Sequence, residues 1–427
     1  MKKILLLSLG LLLFTPAFAQ QPAKPQARPV VLSNATIHIG NGQVLENAAL
    51  RFENGIITEV GSSVNQTNAE VINASRQHIY PGLILPYTTL GLNEVGALRP
   101  TQDVREAGEF NPNVRALVAY NTDSELIGTT RSNGVLIVQP TPGGGLVSGT
   151  SSVMQLEGWN WEDAVLRADD GVHINWVSMF TRGGFFSPTP GQMQKNENRG
   201  EALQELDNIF KQSLAYTQGE AKAKNLKFEA MRGLFDGSKT LYIHVDFSRE
   251  IVESVQFAQK HQVKKIVVVG ANDALDVADF LRDNQIPVII GEVHRLPNRS
   301  EEEVWLPYQL PALLKKAGIL VSLAYDNEPM RGRNLPFLAG TAAAYGLSKE
   351  DALMMITANT AKILGIDDKV GTLEKGKHAT LVISQGDILD MRTNQINHAF
   401  IQGKKLDLSD KHKQLYEKFK AKYPDVK

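Results

Sequence analysis

The chain has 427 residues, with 45 Lys and Arg against 46 Asp and Glu, so its charge balance points to neither nucleic acid nor a strongly acidic partner. It has no cysteine, which excludes disulfides, a thiol nucleophile and thiolate metal sites. The first twenty residues, M-K-K-I-L-L-L-S-L-G-L-L-L-F-T-P-A-F-A-Q, join a basic start to a short apolar run and an A-F-A site. This pattern predicts a secretory signal peptide over residues 1–19, cleaved after Ala19. The apolar run is too short to span a bilayer comfortably, and no later segment of the sequence has the length and apolarity of a spanning helix. The mature chain is expected to be exported and periplasmic, with no integral membrane segment. Residues 20–29, rich in Pro, Gln and Ala, read as a flexible lead-in.

Residues 30–80 alternate short β-rich runs with turns, and Asn41-Gly42 and Asn54-Gly55 mark two of those turns. After Tyr80 the texture changes. The runs G-V-L-I-V-Q, L-Y-I-H-V-D, K-I-V-V-V-G, P-V-I-I-G and G-I-L-V-S-L-A are short and rich in Val and Ile. Segments with helical spacing lie between them. Strand alternating with helix over residues 81–369 implies a parallel sheet. At this length the expected form is a closed (β/α)8 barrel, with a doubly wound open sheet as the alternative. No strand is followed by G-x-G-x-x-G, which weakens the dinucleotide-binding form. Residues 169–237 are polar and yield no clear strand, only a helix from about 201 to 216. From residue 370 the chain turns β-rich again, so residues 30–80 and 370–408 are expected to build one β-sandwich from both ends. Residues 409–427 form a lysine-rich amphipathic tail, expected to be one helix.

Four stretches, in this order and spacing, resemble the amidohydrolase superfamily, in particular its imidazolonepropionase-like and prolidase-like branch. They are Y-P-G-L-I at 80–84, G-V-L-I-V-Q-P-T-P-G-G-G at 134–145, G-L-S-K-E-D-A-L-M-M-I-T-A-N-T-A-K-I-L-G-I at 346–366, and V-G-T-L-E-K-G-K-H-A-T-L-V-I-S at 370–384. The resemblance implies hydrolysis of a C–N bond in a cyclic amide, a dipeptide or a similar small molecule. It also implies one or two divalent metals at the C-terminal mouth of the barrel. Such a metal activates a water and polarises the carbonyl, and a strand-eight aspartate moves the proton.

The ligand positions that the resemblance implies are largely replaced. Tyr87 and Thr89 stand where strand one carries H-x-H, and Leu85 stands where an aspartate often precedes that pair. Strict alternation puts Leu85, Tyr87 and Thr89 on one strand face. Val269 stands at the strand-six histidine position, whereas His244 on strand five and Asp326 on strand eight are retained. A catalytic zinc ordinarily has three protein ligands and an open position, so two are too few unless Glu292 and His294 are recruited. The expectation is therefore one divalent metal, zinc or manganese, in a rearranged site, or none.

Gly143, Gly144 and Gly145 follow a barrel strand, and their amides are candidates to cradle an anion at the mouth, with Tyr87 as a further ligand contact. His38, His78, His173, His261, His378, His398 and His412 have no ligand context and are expected to be structural or solvated. Three functions stay open. The first is a working exported amidohydrolase. The second is a degenerate relative that binds a small ligand, or partners an active paralogue in a homo- or hetero-oligomer. The third is metal-free hydrolysis by Asp326, His244 and the glycine loop.

Overall fold

The computed structural model describes residues 21–182, 193–219, 223–299, 301–325 and 328–423. The segment expected to be a signal peptide, residues 1–19, lies outside them. Strands β1 (Val30–His38), β2 (Val44–Glu53), β3 (Ile56–Gly61), β4 (Glu70–Asn73) and β5 (His78–Pro81) come first. β6 (Leu83–Thr88), β7 (Val135–Pro140), β8 (Val147–Gln155) and β9 (Val165–Asn175) follow, and then a ribbon of β10 (Phe180–Arg182) and β11 (Met193–Lys195). β12 (Thr240–Val245), β13 (Ile266–Gly270), β14 (Val288–Ile290) and β15 (Val321–Leu323) complete the central sheet. β16 (Leu381–Ser384), β17 (Ile396–Ile401) and β18 (Lys404–Lys405) return to the N-terminal strands.

The two ends of the chain build one sheet in the order β18-β17-β16-β5-β1-β2-β3, with β4 also on β1. The β2–β3 hairpin turns on Asn54 and Gly55, at φ 50° and 80°. Two positive φ values are what a two-residue type I′ loop requires, and Asn-Gly supplies them at little steric cost. β1 pairs parallel with β4 through Val30–Ser33, then with β5 through Thr36 and Ile37. This terminal module has its own core, including Leu32, Ile37, Leu50, Phe52, Ile79, Leu381 and Phe400. Residues 21–29 form no helix or strand, yet they are held. Ala23 N donates to Glu157 Oε1 at 2.6 Å, and the Gln26 side chain bonds Gly55 N and Phe52 O at 2.9 and 3.0 Å.

The central sheet runs β15-β14-β13-β12-β9-β8-β7-β6 and nearly closes. It departs from the all-parallel expectation at β8, which is antiparallel to both β7 and β9. Only residues 141–146 join β7 to β8. A parallel return needs a crossover of about a dozen residues or more, so this connection can make only a hairpin. The gap between β15 and β6 is spanned by the turn that follows helix Lys349–Met354. Leu323 N donates to Met355 O at 3.2 Å, and Ile84 N donates to Ile356 O at 2.9 Å. Met355 and Ile356 thus stand in for a strand at the seam.

Alternation sorts the barrel strands into two faces. Leu241, Ile243 and Val245 of β12 and Val172 and Ile174 of β9 face the outer layer, where helices Leu226–Asp236 and Ser248–Lys260 cover them. Inside, Ile84, Ile137, Val153, Val267 and Ile289 pack around Tyr242 as an apolar floor. Helix Lys411–Lys422 ends the described chain and has no buried residue. Among the described residues, no helix is long and apolar enough to cross a membrane.

Candidate functional site

Above the apolar floor, the barrel mouth holds a cavity of about 480 Å³ lined by Tyr87, Trp176, His244, Asp246, Val269 and Glu292 among others. Phe180, Thr181 and Met193 of the β10–β11 ribbon also line it, and so do Arg295 and Arg299. Both arginines are committed to carboxylates. Arg295 pairs with Glu302 at 2.5 Å, and Arg299 pairs with Asp273 at 2.9 Å. Glu250 is turned to the chain itself, accepting from Ser178 Oγ and Met179 N at 2.9 and 2.6 Å. Aromatic walls with a few polar groups suit a small ligand that is part apolar and part hydrogen-bonding.

The polar layer between floor and cavity contains a connected side-chain network. His244 Nε2 lies 2.9 Å from His173 Nδ1, and His173 Nε2 lies 2.9 Å from Ser151 Oγ. Ser151 Oγ donates to Asp170 Oδ1 at 2.8 Å. Asp170 Oδ2 accepts from Gln139 Nε2 at 2.8 Å and from the Tyr242 hydroxyl at 2.9 Å. The His173 ring stacks on Tyr242, with centroids 4.5 Å apart and planes 11° from parallel. Tyr87 lies tilted against His244 at 4.5 Å. Burial pushes the Asp170 carboxyl up and pushes His173 well below the usual imidazole range. Burial also lowers His244, to about 4. Both imidazoles are therefore neutral near pH 7.

The structure sorts the sequence candidates. His244, Tyr87, Val269 and Glu292 line the cavity together. Leu85 does not share a face with Tyr87. It packs into the outer layer, close beneath Gly332. Tyr87 has φ 51°, and the β6–β7 register shifts between Leu85 and Thr88. That local kink breaks the alternation and turns Tyr87 toward the mouth. Thr89 follows the strand and is buried, outside the cavity lining. His294 turns away from the cavity, its Nε2 lying 2.6 Å from Thr341 Oγ1. His294→Ala is therefore expected to leave metal content and ligand binding unchanged and to cost about 1 kcal/mol of stability, as one lost hydrogen bond does. Elemental analysis beside urea unfolding checks this.

Gly143, Gly144 and Gly145 form the β7–β8 loop at the mouth but do not line the cavity. Their close approach is to the chain's own segment 104–109. Gly143 N donates to Val104 O at 2.8 Å, and a Cβ on Gly145 would stand 2.9 Å from Gly108 O. Asp326 lies outside the described residues.

Sequence reasoning missed His173, Ser151, Asp170 and Gln139. His173, expected from the sequence to be structural or solvated, is fully buried and directly bonded to His244. The available signal was the spacing of Gly171, His173 and Asn175 against Val172 and Ile174, a strand with a polar inner face.

The described donor set does not fit a catalytic divalent metal. His244 Nε2 is engaged by His173, which leaves Nδ1 as its one nitrogen for a ligand, and Val269 offers no donor. Among the described residues, no three His, Asp or Glu side chains group as metal ligands.

Residues 305–406 match the family model described as Amidohydrolase family. The imidazolonepropionase of Thermoplasma volcanium is 30% identical over 138 residues, which are 30% of this chain and 34% of that one. The chain thus spans about a third of that relative. The imidazolonepropionase of Clostridium tetani is 21% identical over 395 residues, which cover 81% of this chain and 86% of the relative. Among solved structures, an amidohydrolase from Thermotoga maritima superposes with a TM-score of 0.77 at 22% identity, covering 88% of this chain and 99% of that one. This last likeness is one of fold.

Proposed function

We propose that this chain, which belongs to the amidohydrolase superfamily, is an exported protein that binds a small amide-like molecule at its barrel mouth and has lost the superfamily's standard metal-dependent hydrolysis. The ligand class comes from the resemblance to hydrolases of C–N bonds and from a cavity that combines Trp176, Tyr87 and Phe180 with polar groups. Export rests on the basic, apolar and A-F-A pattern of the first residues.

The observation that carries the reading is that Tyr87 and Val269 line the mouth beside His244, whose Nε2 is bonded to His173 Nδ1, so that these three positions offer one imidazole nitrogen between them. The one remaining nitrogen of His244, a phenol and an isopropyl group do not make the three-ligand shell that activates water.

The test is metal stoichiometry by elemental mass spectrometry, on protein purified without an affinity tag or chelator. The expected result is far less than one metal per chain, even after incubation with zinc or manganese. About one metal per chain, lost in both His244→Ala and Asp326→Ala, would overturn the reading in favour of a rearranged mononuclear hydrolase. The same preparation is titrated with 2-pyrrolidinone, a cyclic amide, and with glycylglycine. Saturable binding of one of them, weakened by Tyr87→Ala, is expected.

A further inference from the structure

The network beneath the cavity has a direction, and the direction can be read from one backbone group. Tyr87 N donates to Gln139 Oε1 at 3.2 Å. A backbone N–H can only donate, so the Gln139 oxygen faces Tyr87 and its amide nitrogen faces Asp170. Gln139 Nε2 and the Tyr242 hydroxyl then both deliver hydrogens to Asp170 Oδ2. Burial raises the Asp170 carboxyl, while these hydrogen bonds favour its charged form; two donors on one oxygen and Ser151 on the other place it as the acceptor that an ionised carboxylate is.

The consequence runs outward. Ser151 has one hydrogen and gives it to Asp170, so its oxygen accepts from His173 Nε2. His173 is neutral and carries its hydrogen on Nε2, which leaves Nδ1 bare. Two ring nitrogens 2.9 Å apart share one hydrogen, so His244 supplies it from Nε2. His244 is neutral as well, so its Nδ1 has no hydrogen. Among the described residues Nδ1 makes no hydrogen bond, and His244 lines the cavity.

We propose that the Tyr87–Gln139–Asp170–Ser151–His173 chain locks the tautomer of His244 and presents a bare Nδ1 to the cavity, so that the ligand held there donates an N–H or O–H to it. This rests on the small-molecule reading above and narrows it. An amide with a free N–H satisfies Nδ1. The same amide methylated on nitrogen leaves a partly buried acceptor unpaired, which weakens binding by about tenfold or more. His173, Ser151 and Asp170 are positioning residues: they touch no ligand and act through His244. Imidazoles are often locked by a partner on the far nitrogen. Here the partner is itself locked, back to a buried carboxylate.

The experiment is nitrogen NMR on the full chain with 15N-labelled histidine, in which a bare ring nitrogen and a protonated one resonate far apart. His244 is assigned by comparison with His244→Ala. The expected spectrum shows His244 with hydrogen on Nε2 and a bare Nδ1. In Asp170→Asn, the new amide oxygen stays with Gln139 and Tyr242 and the new NH2 group faces Ser151. The lock is released and the bare-Nδ1 signal loses intensity. Ser151→Ala cuts the chain at a second point and is expected to do the same, and it serves if Asp170→Asn fails to fold. In the ligand arm, 2-pyrrolidinone is expected to shift the Nδ1 resonance, and N-methyl-2-pyrrolidinone to bind at least about tenfold more weakly.

A wild-type His244 protonated on Nδ1 overturns the proposal. So does a His244 signal untouched in a folded Asp170→Asn or Ser151→Ala, and so does equal affinity for the two lactams. If neither lactam binds while His244 stays locked, the cyclic-amide ligand of the functional reading is overturned and the lock itself is supported.

Discussion

Gly171→Ala is expected to be among the most damaging single substitutions in the barrel, costing about 3 kcal/mol, at the upper end of the usual range for overpacking. Gly171 sits in β9, paired with Thr240 on one side and Ser151 on the other. A Cβ there would stand 2.3 Å from Tyr242 Cε2 and 2.5 Å from Thr240 O. Neither can give way cheaply. Thr240 O belongs to the strand ladder, and the Tyr242 ring is fully buried between the apolar floor and His173. Moving Tyr242 also strains its 2.9 Å bond to Asp170. The substitution should therefore lower the urea midpoint and disturb the His173 and His244 resonances together. Gly143→Ala is the control. Its Cβ would meet only Val104 Cγ1, at 3.3 Å, and a small effect is expected. A Gly171→Ala protein with an unchanged midpoint and unchanged histidine spectrum would show that the inner face of β9 is not packed as described.

The same glycine explains why this strand was not legible in the sequence. β12, β13 and β14 are apolar runs rich in Val and Ile, so they announced themselves. β9 puts Gly171, His173 and Asn175 on its inner face and carries the Asp169-Asp170 pair before them, a composition that usually marks a loop. Burial of that polar face is feasible only because Ser151, Gln139 and Tyr242 arrive from three other strands to satisfy it, and no local pattern reports partners so distant. The antiparallel β8 was within reach of the sequence, since six residues between two β-rich runs cannot hold a crossover helix. The kink at Tyr87 was not, because a positive φ at a tyrosine follows from its surroundings and not from its own preference. The terminal module was legible at its turns. Asn-Gly at 54–55 carries a backbone requirement in its own composition.

The second large effect lies away from the cavity, where the lead-in meets the barrel. Glu157→Ala is expected to cost about 3–5 kcal/mol, the range for breaking a buried ion pair from one side. Arg131 ends helix Glu125–Arg131 and pairs with Glu157 just beyond β8, and each side chain is only 7% exposed. Arg131 Nη1 also donates to Leu156 O at 3.2 Å, and Glu157 Oε1 accepts from Ala23 N. Removing the carboxylate leaves a guanidinium in a dry seam and takes the anchor from the lead-in. The large cost is that of the orphaned charge and not the worth of the pair, so a double substitution separates the two. Arg131→Met with Glu157→Leu removes both charges, fills similar space and is expected to recover most of the lost stability. If Glu157→Ala instead costs under about 1 kcal/mol, as an exposed pair does, then water reaches this seam. In that case residues 21–29 are held by the Gln26 bonds to the terminal module, with little contribution from the Ala23 contact.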